Sequence, residues 1–312
     1  MASAALGVVF GASRARSQSS FKSFPLASSS LVLDVAETGD ALVAVGDRGF
    51  ILRSTDMGSS WVQMPSPAGV MLTGVAFAGP SGLAVGHDAT ILRSTDAGLT
   101  WQTVSSDPDA ETPLLGVVCD GPDRALAYGA YGLLMESTDG GASWSERRIT
   151  DDEPHLYRIA KAVDGAWYAA GEFGSLFASA DAGATWTPID SSPYDGSYFG
   201  LLALADGGLL LFGLRGNLFR SDDGAATWTA VETGTTATLH GGVQRKSGDV
   251  VIVGLSGSVL TSADGRDFDL RGLSDREALT GAVETADGSM ILFGERGVRR
   301  FDPAQLPTVP RA

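Results

Sequence analysis

Residues 54–61 read Ser-Thr-Asp-Met-Gly-Ser-Ser-Trp, and the same pattern, Ser-x-Asp-x-Gly-x-Ser/Thr-Trp, returns at 94–101, 137–144 and 179–186. A fifth copy at 221–228 carries Ala225 in the glycine slot, and a sixth, at 262–268, is one residue short and ends on Phe268. The aspartates are Asp56, Asp96, Asp139, Asp181, Asp223 and Asp264, spaced 40 to 43 residues apart. A unit repeated at this period must bury its apolar face against copies of itself, which confines the chain to stacked or radial architectures.

Each position in the motif has a task in a hairpin turn. The aspartate accepts backbone N–H bonds, the hydroxyls bond local backbone, the glycine supplies a positive φ, and the tryptophan opens the next strand with a large apolar surface. Five of the six tryptophans occupy this slot, Trp167 being the exception. The six aspartates are therefore structural acids. A second turn, Gly-x-x-Gly, lies at 46–49, 129–132, 171–174, 213–216, 254–257 and 294–297, with Gly86-His87-Asp88-Ala89 in its place in the second repeat. Short apolar runs flank every copy, so one repeat reads as four strands, for example 72–77, 83–85, 91–93 and 101–104. Seven such turns predict an all-β, seven-bladed β-propeller with four antiparallel strands per blade. A solenoid would need polar capping repeats, and none is visible.

The seventh repeat ends at Asp302-Pro303 without the acidic turn. The unassigned segment Phe24-Pro25-Leu26 is the candidate for its missing outer strand, because proline is tolerated on a sheet edge. The expected organisation is a tail or export-signal remnant over 1–20, a propeller over 21–302 and a tail over 303–312.

Composition narrows the partners. The net charge of -15 and only three lysines, Lys22, Lys161 and Lys246, argue against nucleic acid, which is bound through accumulated basic residues. One cysteine, Cys119, and three scattered histidines, His87, His155 and His240, give no metal-ligand spacing and suggest no cofactor. No apolar run of about 18 residues predicts a membrane-spanning helix. The apolar stretch 4–11 lacks a preceding positive segment, so it reads as an incomplete export signal or a tail.

The acidic turns are Asp boxes, the bacterial-neuraminidase repeat. Their combination with Gly-x-x-Gly turns over residues 31–302 resembles the photosystem II stability and assembly factor family. Ala84-Val85-Gly86-His87-Asp88 and Pro193-Tyr194-Asp195-Gly196-Ser197-Tyr198-Phe199-Gly200 are similar to its bacterial branch, whose members also occur beside genes for RND-type exporters. The resemblance implies a non-catalytic propeller exported to the periplasm or an equivalent compartment, and a monomer is the expected oligomeric state. Such a protein assembles or stabilises a membrane protein complex through protein contacts, and an arginine patch serves docking in the photosynthetic members.

Sialidases carry Asp boxes too, and they need an arginine cluster, a general acid/base and a tyrosine nucleophile. The nearest arginine motif, Tyr157-Arg158-Ile159-Ala160, lacks the expected proline and follows the third box, so it reads as an ordinary inner strand. No catalytic set is assigned. A sialidase-like hydrolase or a carbohydrate-binding propeller is the alternative reading.

Antiparallel connectivity puts the Asp boxes on one face of the ring and the Gly-x-x-Gly turns, with the blade-to-blade connections, on the other. The second face carries varied residues, and three of its turns share an arginine: Arg48, Arg215 and Arg296. These arginines, with Tyr194 and Tyr198 on the connection between blades four and five, are the expected partner-binding residues, facing an acidic segment of a membrane protein.

Overall fold

Short apolar runs bounded by fixed turns fold into seven antiparallel sheets in the computed structural model, which describes residues 23–301. The tails expected at 1–20 and 303–312 lie outside these residues. Blade two is typical, with Leu72–Ala78, Ser81–Gly86, Ile91–Ser94 and Gln102–Ser105 hydrogen-bonded in sequence order. The first strand of each sheet is innermost and meets the first strand of the next. The second is buried along its length, as in Leu209–Gly213 and Val250–Gly254, which accounts for its unbroken apolar sequence. Fourth strands are short and exposed, down to Thr187–Pro188 and Thr229–Ala230.

The core lies between the sheets rather than in one centre. Leu210 and Phe212 of blade five pack with Val250, Ile252 and Leu260 of blade six, and Leu42, Ala44 and Leu52 of blade one pack with Ile291 and Phe293 of blade seven. Each fully buried leucine or isoleucine contributes about 1.5–3 kcal/mol. The last seam therefore closes the ring with the same kind of apolar contact as the others. Thr280 adds to it by donating its hydroxyl to the Val32 carbonyl at 2.7 Å.

Blade seven has three strands among the described residues, Leu279–Glu284, Met290–Gly294 and Gly297–Phe301. The segment Phe24-Pro25-Leu26 does not supply the fourth. It turns into a short 3-10 helix, Ala27–Ser29, with the Ala27 N–H donating to the Phe24 carbonyl at 3.1 Å. Pro25 has no N–H to give a strand ladder. The segment instead caps the seam: the Phe24 ring sits 5.3 Å from that of Phe50, and its N–H donates to Gln63 Oε1 at 2.8 Å. On the other side, the Ser28 carbonyl lies 1.9 Å from where a Cβ on Gly297 would stand.

Asp boxes connect third to fourth strands, as expected. In the first, Ser54 Oγ donates to Asp56 Oδ1 at 2.8 Å and accepts from the Gly58 N–H at 2.9 Å. Asp56 also accepts from the Ser60 N–H at 2.8 Å and hydroxyl at 2.6 Å. The Trp61 indole N–H returns to the Gly58 carbonyl at 3.2 Å. The turn is thus saturated locally, and its glycine abuts the preceding blade: a Cβ on Gly58 would lie 2.4 Å from Ile291. In blade five Ala225 takes this position at φ 69, where the preceding blade presents the flat ring of Tyr168.

Candidate functional site: the Gly-turn face

The Gly-x-x-Gly tips and the blade-to-blade connections share one face, opposite the Asp boxes. In all seven blades the N–H after the first glycine donates, at 2.9–3.1 Å, to the carbonyl just before that blade's inner strand. This bond gives the first glycine its reason. Its backbone is extended, but a Cβ there would stand 2.1–2.2 Å from the same carbonyl. Between the glycines, six tips place a non-glycine residue in the left-handed region: Arg48, Asp88, Tyr131, Phe173, Arg215 and Ser256, at φ 53–60. A hydrogen-bonded tip in this conformation points its side chain outward from a fixed backbone.

Arg48 and Arg215 occupy this left-handed position and are exposed. Arg296 differs, because in blade seven Gly294 and Gly297 pair directly across the hairpin and Arg296 is not left-handed. Arg48 lies 3.4 Å from Asp47 and Arg296 lies 3.0 Å from Glu277, whereas Arg215 has no carboxylate partner among the described residues. The three arginines share a face but not one environment.

Tyr194 is half-buried at the rim of an open groove. Tyr198 is fully buried and is not a contact residue, which corrects its assignment to the partner-binding set. Its hydroxyl accepts from the Tyr194 N–H at 3.0 Å and donates to the Tyr194 carbonyl at 2.8 Å, so it shapes the connection from beneath.

The Asp-box carboxylates are saturated by their own turns. The hydroxyl and N–H of Ser143, then the Ser137 hydroxyl, hold Asp139 down to about 2, and Ser60 and Ser54 do the same for Asp56. Fully ionised and internally bonded, they are poor proton donors at neutral pH. Among the described residues, no group of three His, Cys, Asp or Glu side chains converges as a metal site.

Two features of the central channel escape a linear reading. Each inner strand carries a bulge at its second residue, and the extra residues, Leu33, Thr73, Leu115, Tyr157, Phe199, His240 and Thr280, ring the channel end nearest the Gly turns. Tyr157, Phe199 and His240 stack in series, with centroids 4.8 and 5.0 Å apart. At the next position five blades have glycine, and the other two have Asp34 and Arg158, which share a small cavity of about 110 Å³. Burial raises the Asp34 pKa against the opposing charge of Arg158, and the carboxylate accepts from the Val35 N–H at 2.9 Å and the Val75 N–H at 3.0 Å. Arg158 belongs to the inner strand Leu156–Lys161 and is the one arginine on the seven inner strands.

Several solved structures share this architecture. A structure described as YCF48 bound to D1 peptide superposes with a TM-score of 0.72 at 17% identity, covering 88% of this chain and 93% of that one. YCF48 from Cyanidioschyzon merolae gives 0.72 at 18% identity, covering 90% and 98%. A streptogramin B lyase gives 0.75 at 10% identity, covering 90% and 95%. At these identities the likeness speaks to fold alone. No curated protein matches the chain in sequence. Residues 105–268, more than half of the chain, match the family described as Photosynthesis system II assembly factor YCF48, and the chain belongs to that family.

Proposed function

We propose that this protein is a non-catalytic docking scaffold whose Gly-turn face binds an acidic segment of a membrane protein and so helps assemble or stabilise a complex. The observation that carries the reading is the exposure of Arg48, Arg215 and Arg296 on that face, on a molecule with a net charge of -15. The D1 peptide in the related YCF48 structure supports a peptide as the kind of partner. A single channel arginine, Arg158, falls short of the cluster that a sialidase-like reaction requires, which favours the scaffold over the hydrolase. The site of action is an exported compartment such as the periplasm, and the acting species is a monomer.

The test is affinity capture from native membranes with the intact chain and with a variant carrying Arg48→Gln, Arg215→Gln and Arg296→Gln together. Captured membrane protein should fall in the variant and with added salt, since exposed charges are screened over about 10 Å at 0.1 M. The melting temperature should be nearly unchanged. Equal capture by both proteins refutes the docking face. Fractionation of cells and light scattering of the purified chain check the compartment and the monomer.

A further inference from the structure

The arginine reading leaves the aromatic residues of the same face unused. Tyr131 and Phe173 occupy the left-handed tip positions of blades three and four at φ 55 and 53, and Phe173 is 79% exposed. Glycine adopts that conformation freely, and asparagine or aspartate with little strain. A phenylalanine there strains the backbone while its ring stays in water, so the fold itself gains little from it.

Beside Phe173 opens a groove of about 330 Å³ lined by Gly174, Ser192, Pro193, Tyr194 and Asp195. Its floor is rigid, because the Tyr198 hydroxyl pins Tyr194 from below. The same connection anchors the next blade. The Gly174 N–H donates to the Gly196 carbonyl at 2.9 Å, and the Leu214 N–H donates to the Ser197 carbonyl at 3.1 Å. The tip bearing Phe173 and the tip bearing Arg215 are therefore tied to successive carbonyls of one segment. Arg215 is also the tip arginine with no carboxylate of its own among the described residues.

We propose that blades four and five form a two-point peptide site: the Phe173, Pro193 and Tyr194 groove takes a bulky apolar side chain, and Arg215 takes a carboxylate. The occupant is an extended segment of another protein in which an aromatic or leucine residue lies a few positions from Asp or Glu. Asp195 at the groove rim repels the acidic end and directs it towards Arg215. An exposed ion pair adds little affinity, so the apolar anchor supplies most of it. This inference rests on the Gly-turn face being the docking face and adds a requirement to the partner.

A display library of random octapeptides, selected against the full chain, tests both levels. The expected enrichment is a motif pairing an aromatic or leucine with an acidic residue. Phe173→Asn, which suits a left-handed tip, should reduce its binding at least about tenfold and Arg215→Gln by about twofold to fivefold, while the Arg48→Gln, Arg296→Gln double variant retains it. Melting temperatures verify that the variants are folded. A purely acidic motif, lost in the double variant and indifferent to Phe173→Asn, overturns the two-point site and leaves the docking face standing. No enrichment, or equal binding by every variant, overturns both.

Discussion

A serine hydroxyl and an aspartate carboxylate hold each Asp-box turn through bonds that span no more than four residues. Because Asp56 and Asp139 are depressed from 3.8 to about 2, their stabilising effect is complete above about pH 4 and is lost as the pH falls towards 2. The denaturant midpoint should therefore be lower at about pH 2.5 than at pH 5, and replacing both aspartates by asparagine should make that dependence shallower, the other depressed aspartates such as Asp96 and Asp223 keeping the rest of it. The tryptophan at the end of the motif acts through packing instead. Trp101 is 7% exposed and meets Phe77 edge-on at 5.9 Å, so Trp101→Ala should cost about 3–5 kcal/mol in chemical denaturation. The serine and aspartate roles were legible in the sequence because their partners lie within the motif. The burial of Tyr198, and the meeting of Asp34 and Arg158 from blades one and four in one cavity, were not, because both depend on where distant segments meet. The first glycine of Gly-x-x-Gly was recognised as part of a turn, but its cause is a carbonyl about 16 residues away in sequence, a steric reason invisible in the turn itself.

At the scale of elements, strand count and order followed from the spacing of the two turns, and the miss falls where the repeat ends. Phe24-Pro25-Leu26 lies at the seam where an outer strand was expected, yet it packs as a turn and 3-10 helix. The last strand, Gly297–Phe301, protects its own edge with charge: Arg299 pairs with Asp275 at 2.8 Å, and Arg300 pairs with Asp287. Removing residues 1–30 should nevertheless expose Phe50 and the end of that strand. The expected result is a lower melting temperature and concentration-dependent aggregation, whereas removing residues 1–16 should change neither. A shortened chain that melts and remains monomeric like the full one would show that the helix is ornamental to the seam.

Across the whole molecule the arginines are divided by face. On the Asp-box side they reach from one blade into the next: Arg53 donates to the Ala97 carbonyl at 2.9 Å, Arg93 to the Gly140 carbonyl at 2.7 Å, and Arg300 to the Ser59 hydroxyl at 3.1 Å. Arg220 is 3% exposed and bonds Asp206 at 2.6 Å, so Arg220→Met should destabilise the fold by about 1.5–3 kcal/mol, read as a shift in the urea midpoint. These residues act as rivets, and mutating them reports on the ring rather than on binding. The Gly-turn side is built on the opposite plan. Each tip is tied down by its own backbone bond, whatever side chain stands at its apex. Arginine, tyrosine, phenylalanine, serine and aspartate all occur there on nearly the same backbone. A change of residue at one apex therefore leaves the other six where they were, and the face can be rewritten one letter at a time while the frame that displays it keeps its shape.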